Sequence, residues 1–215
     1  MKTNFRKLMS VIAVALAVTM SVTSCRKDDD EPQGPAYNTT EIQNSMTNAT
    51  PVPDYVSATS TVGKLESIVN FGTSGTIADV SKMYVEVNLA HLYAGDISMA
   101  LKAPDGTEKY FVYRVSPSPS SNFGSAYDYL AANTLVLNNT FTATLPTAAN
   151  IAAGNYKESL GITQGGTVTL EPIFSSFAGK QISGNWTLII RDHASPDAAT
   201  LHSWKLRFAP GAVKL

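Results

Sequence analysis

The feature that most constrains the fold is an alternation of apolar and polar residues in four short stretches of the chain. Residues 83–89 read MYVEVNL and residues 97–102 read ISMALK. Nearer the end of the sequence, residues 186–190 read WTLII and residues 204–208 read WKLRF. A period of two is typical of strands that bury one face. These stretches therefore predict strands rather than helices.

Weaker alternation adds three further strand candidates, at residues 65–71, 108–115 and 134–142. The tripeptide PDG at 104–106 is a hairpin signal just before the second of them. No window carries a helical stripe with caps, and charged residues make up only 15% of the chain, against about a quarter in an average protein. We therefore predict an all-β protein, a jelly-roll β-sandwich of about eight mainly antiparallel strands.

The first 24 residues have the organisation of a bacterial lipoprotein leader. Three basic residues among the first seven precede an uncharged, mostly apolar stretch at 8–20, which is too short to span a bilayer as a helix. The small residues VTS at 22–24 and then Cys25 resemble a lipobox. The sequence thus predicts a signal peptide at 1–24 and a lipid on Cys25 that holds the protein to a membrane. The alternative is an ordinary secretory leader that leaves Cys25 as a free thiol.

The residues after Cys25 indicate the destination of the protein. The run RKDDDE at 26–31 resembles the acidic export signal of surface lipoproteins in the Bacteroidetes. We therefore expect a lipid-anchored outer-membrane protein that faces the cell exterior, although a solvated charge run could serve only to hold the chain off the headgroups. The polar, Pro-, Asn- and Thr-rich sequence that follows has no hydrophobic periodicity. The predicted organisation is an acidic, flexible tether at 25–54 and a folded domain at 55–215.

Charge and motif content exclude several functions. The net charge of -1 offers no basic surface for nucleic acid, and a single cysteine cannot form an intramolecular disulfide. The segment GTSGT at 72–76 superficially resembles the serine segment of subtilisins, but those enzymes place their Asp and His before the Ser, whereas the first histidine here is His91. We expect His91, His193 and His202 to be surface or loop residues. Asp192 and His193 should lie on opposite faces of a strand.

Two separated blocks of sequence carry a family resemblance. Residues 85–107, VEVNLAHLYAGDISMALKAPDGT, combine alternating valines, a His-Thr-Tyr-like trio with Leu92 in the middle, Gly-Asp, and Pro-x-Gly-Thr. The second block begins with FAG at 177–179 and continues with GNWTLIIRD and LHSWKL. Together the blocks resemble the P domain, or P/Homo B domain, of kexin- and furin-like proprotein convertases. The resemblance covers roughly residues 64–210.

The resemblance implies an accessory role in proteolysis. In convertases the P domain packs against a subtilisin-like serine endopeptidase domain, stabilises it and influences its calcium and pH dependence. Because only a leader and a stalk are expected before this domain, we do not expect the chain to be an enzyme. We expect it to dock on, or stabilise, a separate surface or secreted protease.

The resemblance also implies calcium, which several bacterial P domains are expected to hold with carboxylates and carbonyl oxygens at strand ends. Asp96 and Asp192 match the motif aspartates and Asp105 lies in the nearby hairpin, so these three are candidate calcium ligands. Two departures weigh against calcium, because LNNTF at 137–141 lacks the acids of relatives and SPDAAT at 195–200 lacks their glycine. The alternative is that Asp96 and Asp192 accept backbone N–H bonds at strand ends.

A different function class stays open beside the accessory role. Jelly rolls often bind glycans through aromatic rings, and Tyr127 and Tyr129 lie in a segment that resembles an exposed loop. These tyrosines are therefore candidate contacts for polysaccharide or host matrix in an adhesin-like module, although strand aromatics more often pack across strands. A structural surface lipoprotein without a soluble ligand is the third possibility.

Overall fold

All four strongly alternating stretches form strands in the computed structural model of the protein, which describes residues 34–117, 124–160 and 173–215. Within these residues there are thirteen strands: β1 (Ile42–Met46), β2 (Thr50–Val52), β3 (Gly63–Phe71), β4 (Thr76–Ile77), β5 (Met83–Ala90), β6 (Ile97–Lys102), β7 (Glu108–Tyr113), β8 (Leu135–Leu137), β9 (Gly154–Tyr156), β10 (Ser159–Leu160), β11 (Gly184–Asp192), β12 (Ala199–Phe208) and β13 (Val213–Lys214). Four short 3-10 helices accompany them, at Ser57–Thr59, Val80–Lys82, Ala94–Asp96 and Ile173–Phe177. None of these helices has the length and apolar character that crossing a membrane requires.

The strands pair into two main sheets. One sheet has the order β1–β12–β5–β8–β9, with β2 also paired to β12, and the other has the order β10–β7–β6–β11–β3. A two-stranded sheet joins β13 to β4. The pairs β8–β9 and β7–β10 are parallel and the other pairs are antiparallel. The predicted all-β sandwich of mainly antiparallel strands is confirmed, although the described strands outnumber the eight or so expected.

The core lies between the two sheets and is joined by large aromatic side chains. The rings of Trp186 on β11 and Phe208 on β12 have centroids 6.1 Å apart, and those of Phe71 on β3 and Phe208 are 5.6 Å apart. Trp204 on β12 donates its indole N–H to Ser67 Oγ on β3 at 2.9 Å. Each of these contacts spans the sandwich, so the apolar faces predicted for β11 and β12 do form its interior.

Strand β6 departs from the expected alternation, because residues 97–101 are all buried. On the outer face of the sheet, the Nε2 atom of His193 lies 2.8 Å from Ser98 Oγ. The guanidinium of Arg191 lies over the ring of Tyr110, 5.1 Å from its centroid. Side chains from β7, from β11 and from His193, which follows β11, therefore pack over the outer face of β6, so its alternation does not mark an exposed face.

The folded domain begins earlier than the sequence suggested. All five residues of β1 pair with β12, and β2 pairs with the first three residues of β12. Asn38 is buried, and its Oδ1 accepts a hydrogen bond from Val213 N at 2.8 Å. The compact unit starts at Gly34, which corrects the boundary predicted at residue 55. The side chains of β1 alternate only between partly buried and exposed, so its sequence needs no strong hydrophobic pattern.

Candidate functional site

Four strand ends meet at one end of the sandwich. Strand β5 ends immediately before His91, and β6 begins immediately after Asp96. Strand β11 ends at Asp192, which pairs antiparallel with the first residue of β6. The loop from β11 to β12 contains Asp197. We call His91, Asp96, Asp192 and Asp197 the aspartate cluster.

A close approach between two glycines fixes the loop that carries Asp96. Gly95 N donates to Ser125 O at 2.9 Å, and a Cβ on Gly95 would lie 2.2 Å from the Cα of Gly124. His193 N donates to the carbonyl oxygen of Asp96 at 2.8 Å, which ties the same loop to the end of β11. The backbone therefore sets the position of the Asp96 carboxylate, and a side chain at position 95 would disturb it.

His91 lies at the centre of the aspartate cluster, not at the surface or in a solvated loop as expected. Its side chain is buried, and its Nε2 donates to the carbonyl oxygen of Asp197 at 2.9 Å while Nδ1 accepts from Tyr93 N at 3.0 Å. Nε2 also lies 3.4 Å from Asp192 Oδ2. Burial acts to lower the pKa of His91, but Asp192 and the Asp197 carbonyl outweigh it, so the pKa lies above its usual value.

Asp192 is fully buried at the end of β11. Its Oδ1 accepts from Ala194 N at 3.3 Å, which agrees with the expectation that it accepts a backbone N–H bond at a strand end. Its Oδ2 accepts no hydrogen bond from the residues that the structure describes. A buried carboxylate oxygen without a donor is costly, so positive charge is favoured beside it. The ring of His91 supplies such a charge when it is protonated.

Asp96 adds a second buried carboxylate to the cluster. Its Oδ1 lies 3.9 Å from Arg114 Nη2. Burial raises the pKa of Asp96 to about 6, with Asp192 and Asp197 also raising it, while His91 and Arg114 act in the opposite direction. The three aspartates thus exceed the positive charge that one arginine and one histidine provide.

The structure separates one of the three predicted calcium ligands from the other two. Asp105 lies in the turn after β6, at the opposite end of that strand from Asp96, and its carboxylate binds Lys180 Nζ at 2.5 Å. This contact lowers the pKa of Asp105 to about 2. The grouping of Asp105 with the other two aspartates is therefore wrong, and Asp197 is the third aspartate that lies near them. The sequence carried a signal for Asp197, because this residue lies in SPDAAT at 195–200, which corresponds to a glycine-containing loop of the P domains that the chain resembles.

The aspartate cluster suits a cation by its charge more than by its side-chain ligand count. Among residues 34–117, 124–160 and 173–215, no three His, Cys, Asp or Glu side chains are arranged to hold a metal ion. Calcium takes about six to eight oxygens, so the carboxylates of Asp96, Asp192 and Asp197 need carbonyl oxygens and water beside them. The donor-free Asp192 Oδ2 favours such an ion. The nearby His91 and Arg114 oppose it.

His193 lies on the opposite face from Asp192, as the alternation along a strand predicts. Its Nε2 is 2.8 Å from Ser98 Oγ, and its ring centroid is 5.7 Å from that of Tyr113. Burial, together with nearby arginines, lowers the pKa of His193 to about 4. A serine beside a histidine resembles part of a hydrolytic dyad, but Ser98 is fully buried in a central strand, where a substrate does not reach its hydroxyl.

The two tyrosines predicted to contact glycan differ in exposure. Tyr127 is 40% exposed, whereas Tyr129 is only 2% exposed and belongs to the core. Tyr129 pairs with His91 through two backbone hydrogen bonds of 3.1 and 2.8 Å, which turn both side chains inward. Burial raises the pKa of the Tyr129 hydroxyl. The predicted pair is therefore corrected to Tyr127 alone.

Comparison with known proteins identifies the family of this domain. The sequence profile described as "Proprotein convertase P-domain" matches residues 80–208, which is more than half of the chain and includes the whole aspartate cluster. Two solved structures are similar to this chain, the serine protease of Aeromonas sobria and the complex of that protease with its chaperone. Each is 14% identical with a TM-score of 0.44 and covers 82% of this chain, while this chain spans only 28% and 27% of theirs. No curated protein sequence matches. On the profile match, the chain belongs to the proprotein convertase P-domain family.

Proposed function

We propose that the chain is a non-catalytic, lipid-anchored P-domain protein of the cell surface that docks onto a separate subtilisin-like serine protease and stabilises it. The observation that carries the proposal is membership of the P-domain family over residues 80–208. P domains of convertases act as accessory modules beside a serine protease domain. A tight β-sandwich offers a rigid surface for such docking.

The surroundings of His91 and His193 support a non-catalytic role. His91 is bonded to the backbone of Asp197 and Tyr93, so neither of its ring nitrogens faces an accessible nucleophile. His193 contacts a serine, but Ser98 is fully buried. A general base must reach the group that it deprotonates in a substrate complex. Both histidines are better explained as structural groups.

We also propose calcium as a stabilising ion of the aspartate cluster. No three side chains of the described residues are arranged to hold a metal by themselves, so Asp96 and Asp192 would bind the ion together with backbone carbonyl oxygens and water, with Asp197 nearby. Its charge would offset the excess of carboxylates at this end of the sandwich. The ion would join the loop before β6 to the loop before β12.

The membrane anchor is a separate part of the proposal. Cys25 and the acidic run at 26–31 lie outside the described residues, and the sequence alone supports a lipid on Cys25 and display on the outer membrane. A Cys25→Ser variant is expected to lose fatty-acid labelling and to leave the membrane fraction. External protease added to intact cells should remove the wild-type protein. Labelling that persists in the variant would contradict lipidation at Cys25.

The docking role is tested by capture of active serine proteases. The full chain, purified in detergent, is immobilised and exposed to outer-membrane and secreted proteins that carry a fluorophosphonate label on their catalytic serine. We expect a labelled serine protease to be retained in calcium and to be partly released by EDTA. Retention of no labelled protease would contradict the proposal.

The glycan-binding alternative now rests on a single ring. Tyr127 is the exposed member of the predicted pair, while Tyr129 is buried. Retention of the chain on a polysaccharide resin, lost in Tyr127→Ala, together with no captured protease, would favour the adhesin-like module over the accessory role.

A further inference from the structure

Strand β3 forms one edge of its sheet and, with nine residues, is the longest edge strand among those described. It pairs with β11 along its whole length, and no other strand pairs with it. The side away from β11 presents backbone N–H and C=O groups over about 30 Å. Among the residues that the structure describes, none exchanges a backbone hydrogen bond with residues 62–68 on that side. An open edge of this kind is a template for a further strand.

The open side belongs to the even-numbered residues of β3. Asn44 Nδ2 on β1 donates to the carbonyl oxygen of Asn70 at 2.6 Å, so that carbonyl points away from β11. In an antiparallel strand, the backbone groups of alternate residues point to the same side. Lys64, Glu66 and Ile68 therefore offer their N–H and C=O groups to the open side, and Asn44 closes the edge only at Asn70.

The side chains of these residues lie on the outer face of the sheet. The side chains of Lys64 and Glu66 are 47% and 42% exposed. Ile68 is 53% exposed, and Val62, one position before the strand, is 36% exposed, whereas the odd-numbered Val69 is buried. We call Val62, Lys64, Glu66 and Ile68 the edge row. Along the chain, the edge row reads apolar, positive, negative, apolar.

The edge row is complementary to itself when a second copy runs antiparallel. In a pair of strands centred on Leu65, position 64 of one copy lies opposite position 66 of the other, and position 62 lies opposite position 68. Lysine then faces glutamate twice, and valine faces isoleucine twice. Charges on an edge strand ordinarily discourage pairing. Here each charge meets its opposite, at a Cβ separation of about 4.5–5.5 Å.

The neighbouring registers are unfavourable. A pair centred on Lys64 places lysine opposite lysine, and a pair centred on Glu66 places glutamate opposite glutamate, and like charges directly opposite one another destabilise a sheet. A register in which even positions face odd ones would turn the edge row of one copy against the inward face of the other. The register centred on Leu65 is therefore the one that satisfies both charges and both apolar side chains.

We propose that β3 pairs with β3 of a second copy of this chain, antiparallel and centred on Leu65, so that two five-stranded sheets join into one. A two-fold axis through that pair brings the same surface of both copies together, as in most homodimers. The ion pair between Lys64 and Glu66, at 2.5 Å within one copy, is exchanged for two ion pairs between copies. The inference goes beyond the accessory function, because it requires neither a protease nor the aspartate cluster.

The test is mutual capture of two differently tagged copies of the full chain in detergent, and wild-type copies are expected to capture one another. Lys64→Glu and Glu66→Lys should each weaken this capture about tenfold or more, because each places like charges opposite one another twice. Lys214→Glu is the matched control, since it makes the same change of charge on β13, in the separate two-stranded sheet. The control should alter capture less than about twofold.

A mixture of the two charge variants tests the register itself. The copy with Lys64→Glu carries two acids in its edge row and the copy with Glu66→Lys carries two bases, so the proposed register joins opposite charges at both positions. We expect the mixture to recover capture to within about threefold of wild type, although neither variant captures itself. Added salt should weaken the recovered capture, because exposed charges are screened. Equal melting temperatures of all the chains show that folding is intact.

Ile68→Lys gives a second readout, since it places a charge opposite Val62 and should weaken self-capture about tenfold. Wild-type copies that do not capture one another at about 100 μM would overturn the proposal. Self-capture that is unchanged by both Lys64→Glu and Glu66→Lys would overturn it as well. A serine protease retained by wild type and lost in Ile68→Lys, without self-capture, would identify the protease as the occupant of β3. That result would overturn the pairing of two copies while leaving the accessory function intact.

Discussion

At the scale of single residues, the aspartate cluster holds negative charge away from water. Asp96 and Asp192 are both buried. Arg114 Nη2 lies 3.9 Å from Asp96 Oδ1, and His91 Nε2 lies 3.4 Å from Asp192 Oδ2. Burial favours the neutral form of a carboxyl group, and a nearby carboxylate does the same. The folded domain therefore binds a proton on Asp96 more readily than the unfolded chain does.

The substitution Asp96→Asn is expected to stabilise the metal-free domain at neutral pH. The pKa of Asp96 is raised from 3.8 to about 6 on folding, and the cost of ionising it in the folded state amounts to roughly 1–3 kcal/mol. Asparagine carries no charge and avoids that cost. Urea unfolding at pH 7.5 in EDTA measures the gain. A loss of stability of more than about 1 kcal/mol would contradict the assignment of a disfavoured charge.

The stability gained by Asp96→Asn is expected to depend on pH. Because the folded pKa of Asp96 lies above the unfolded value, the folded state binds more protons between about pH 4 and 6, so this residue's contribution to stability is lost as pH rises through that window. The stability gained by Asp96→Asn should therefore be absent near pH 4 and complete above about pH 6.5. Asp105→Asn is the control, since its pKa is lowered to about 2 by Lys180 and its removal should not stabilise the domain at any pH.

The burial of Trp186 leads to a prediction about the core. Its ring is fully buried between Phe177 and Phe208, with centroid distances of 5.4 and 6.1 Å, and its Nε1 donates to Ile182 O at 2.9 Å. Trp186→Ala is expected to lower the free energy of unfolding by about 3–5 kcal/mol. Tyr127→Ala, at an exposed ring, should change it by less than about 0.5 kcal/mol. Equal effects of the two substitutions in urea unfolding would show that the core assignment is incorrect.

The residue types of the site were readable from the sequence, but their environments were not. The motif indicated Asp96 and Asp192 because both stand at strand ends, and the structure places them together. Tyr129 was misread as exposed, since its backbone pairing with His91 joins two segments that are distant in sequence. His91 was expected in solvent for the same reason. The burial of a loop residue depends on which other loops it contacts, and local patterns along the sequence do not reveal contacts between distant segments.

At the scale of elements, alternation predicted the interior strands and missed the edge. Strands β5, β11 and β12 bury large apolar side chains, so their sequences must alternate or be continuously apolar. Strand β1 has one neighbour in its sheet and buries its side chains only partly, so polar residues serve it well. The stretch 134–142 shows the opposite error, because only Leu135–Leu137 forms a strand there.

Strand β1 leads to a prediction about the boundary of the domain. It covers one side of β12 over five residue pairs, from Ile42 opposite Phe208 to Met46 opposite Trp204. A chain that begins at Gly34 should melt at the same temperature as one that begins at Arg26. A chain that begins at Asp54 should melt well below both or aggregate, because an unpaired strand edge is exposed. Thermal melting followed by circular dichroism measures all three. If all three melt at the same temperature, residues 34–53 do not belong to the folded domain, and the tether extends to residue 54 as the sequence predicted.

A point variant tests the same boundary without deleting a strand. Asn38 donates to Thr40 O and Ala209 O at 2.8 and 3.0 Å, and it accepts from Val213 N. Asn38→Ala leaves those buried groups without partners, at a cost of about 1–3 kcal/mol. The expected fall in melting temperature is about 2–10 °C. No measurable fall would mean that the segment before β1 contributes nothing to the domain.

At the scale of the whole molecule, the two ends of the sandwich have different tasks. The start and the end of the domain lie side by side, joined by the Ala36–Leu215 hydrogen bond. The aspartate cluster lies at the other end, where loops connect the strands. Loops are less strongly restrained than paired strands, so a ligand that joins them affects the stability of the whole domain.

Calcium is expected to raise the melting temperature of the domain by joining those loops. Saturation at about a hundred times the dissociation constant contributes about 2.7 kcal/mol, which corresponds to a rise of about 5–10 °C. Asp96→Asn and Asp197→Asn should abolish the rise, because each removes a carboxylate from the loops that the ion connects. Asp105→Asn should leave the rise unchanged, since Asp105 binds Lys180 at the opposite end of β6. Differential scanning calorimetry with calcium and with EDTA separates these outcomes. If the calcium-induced rise in melting temperature survives in Asp197→Asn but disappears in Asp105→Asn, the ion binds at the opposite end of the sandwich. If calcium does not raise the melting temperature of the wild type, His91 and Arg114 are the charges that balance the aspartate cluster.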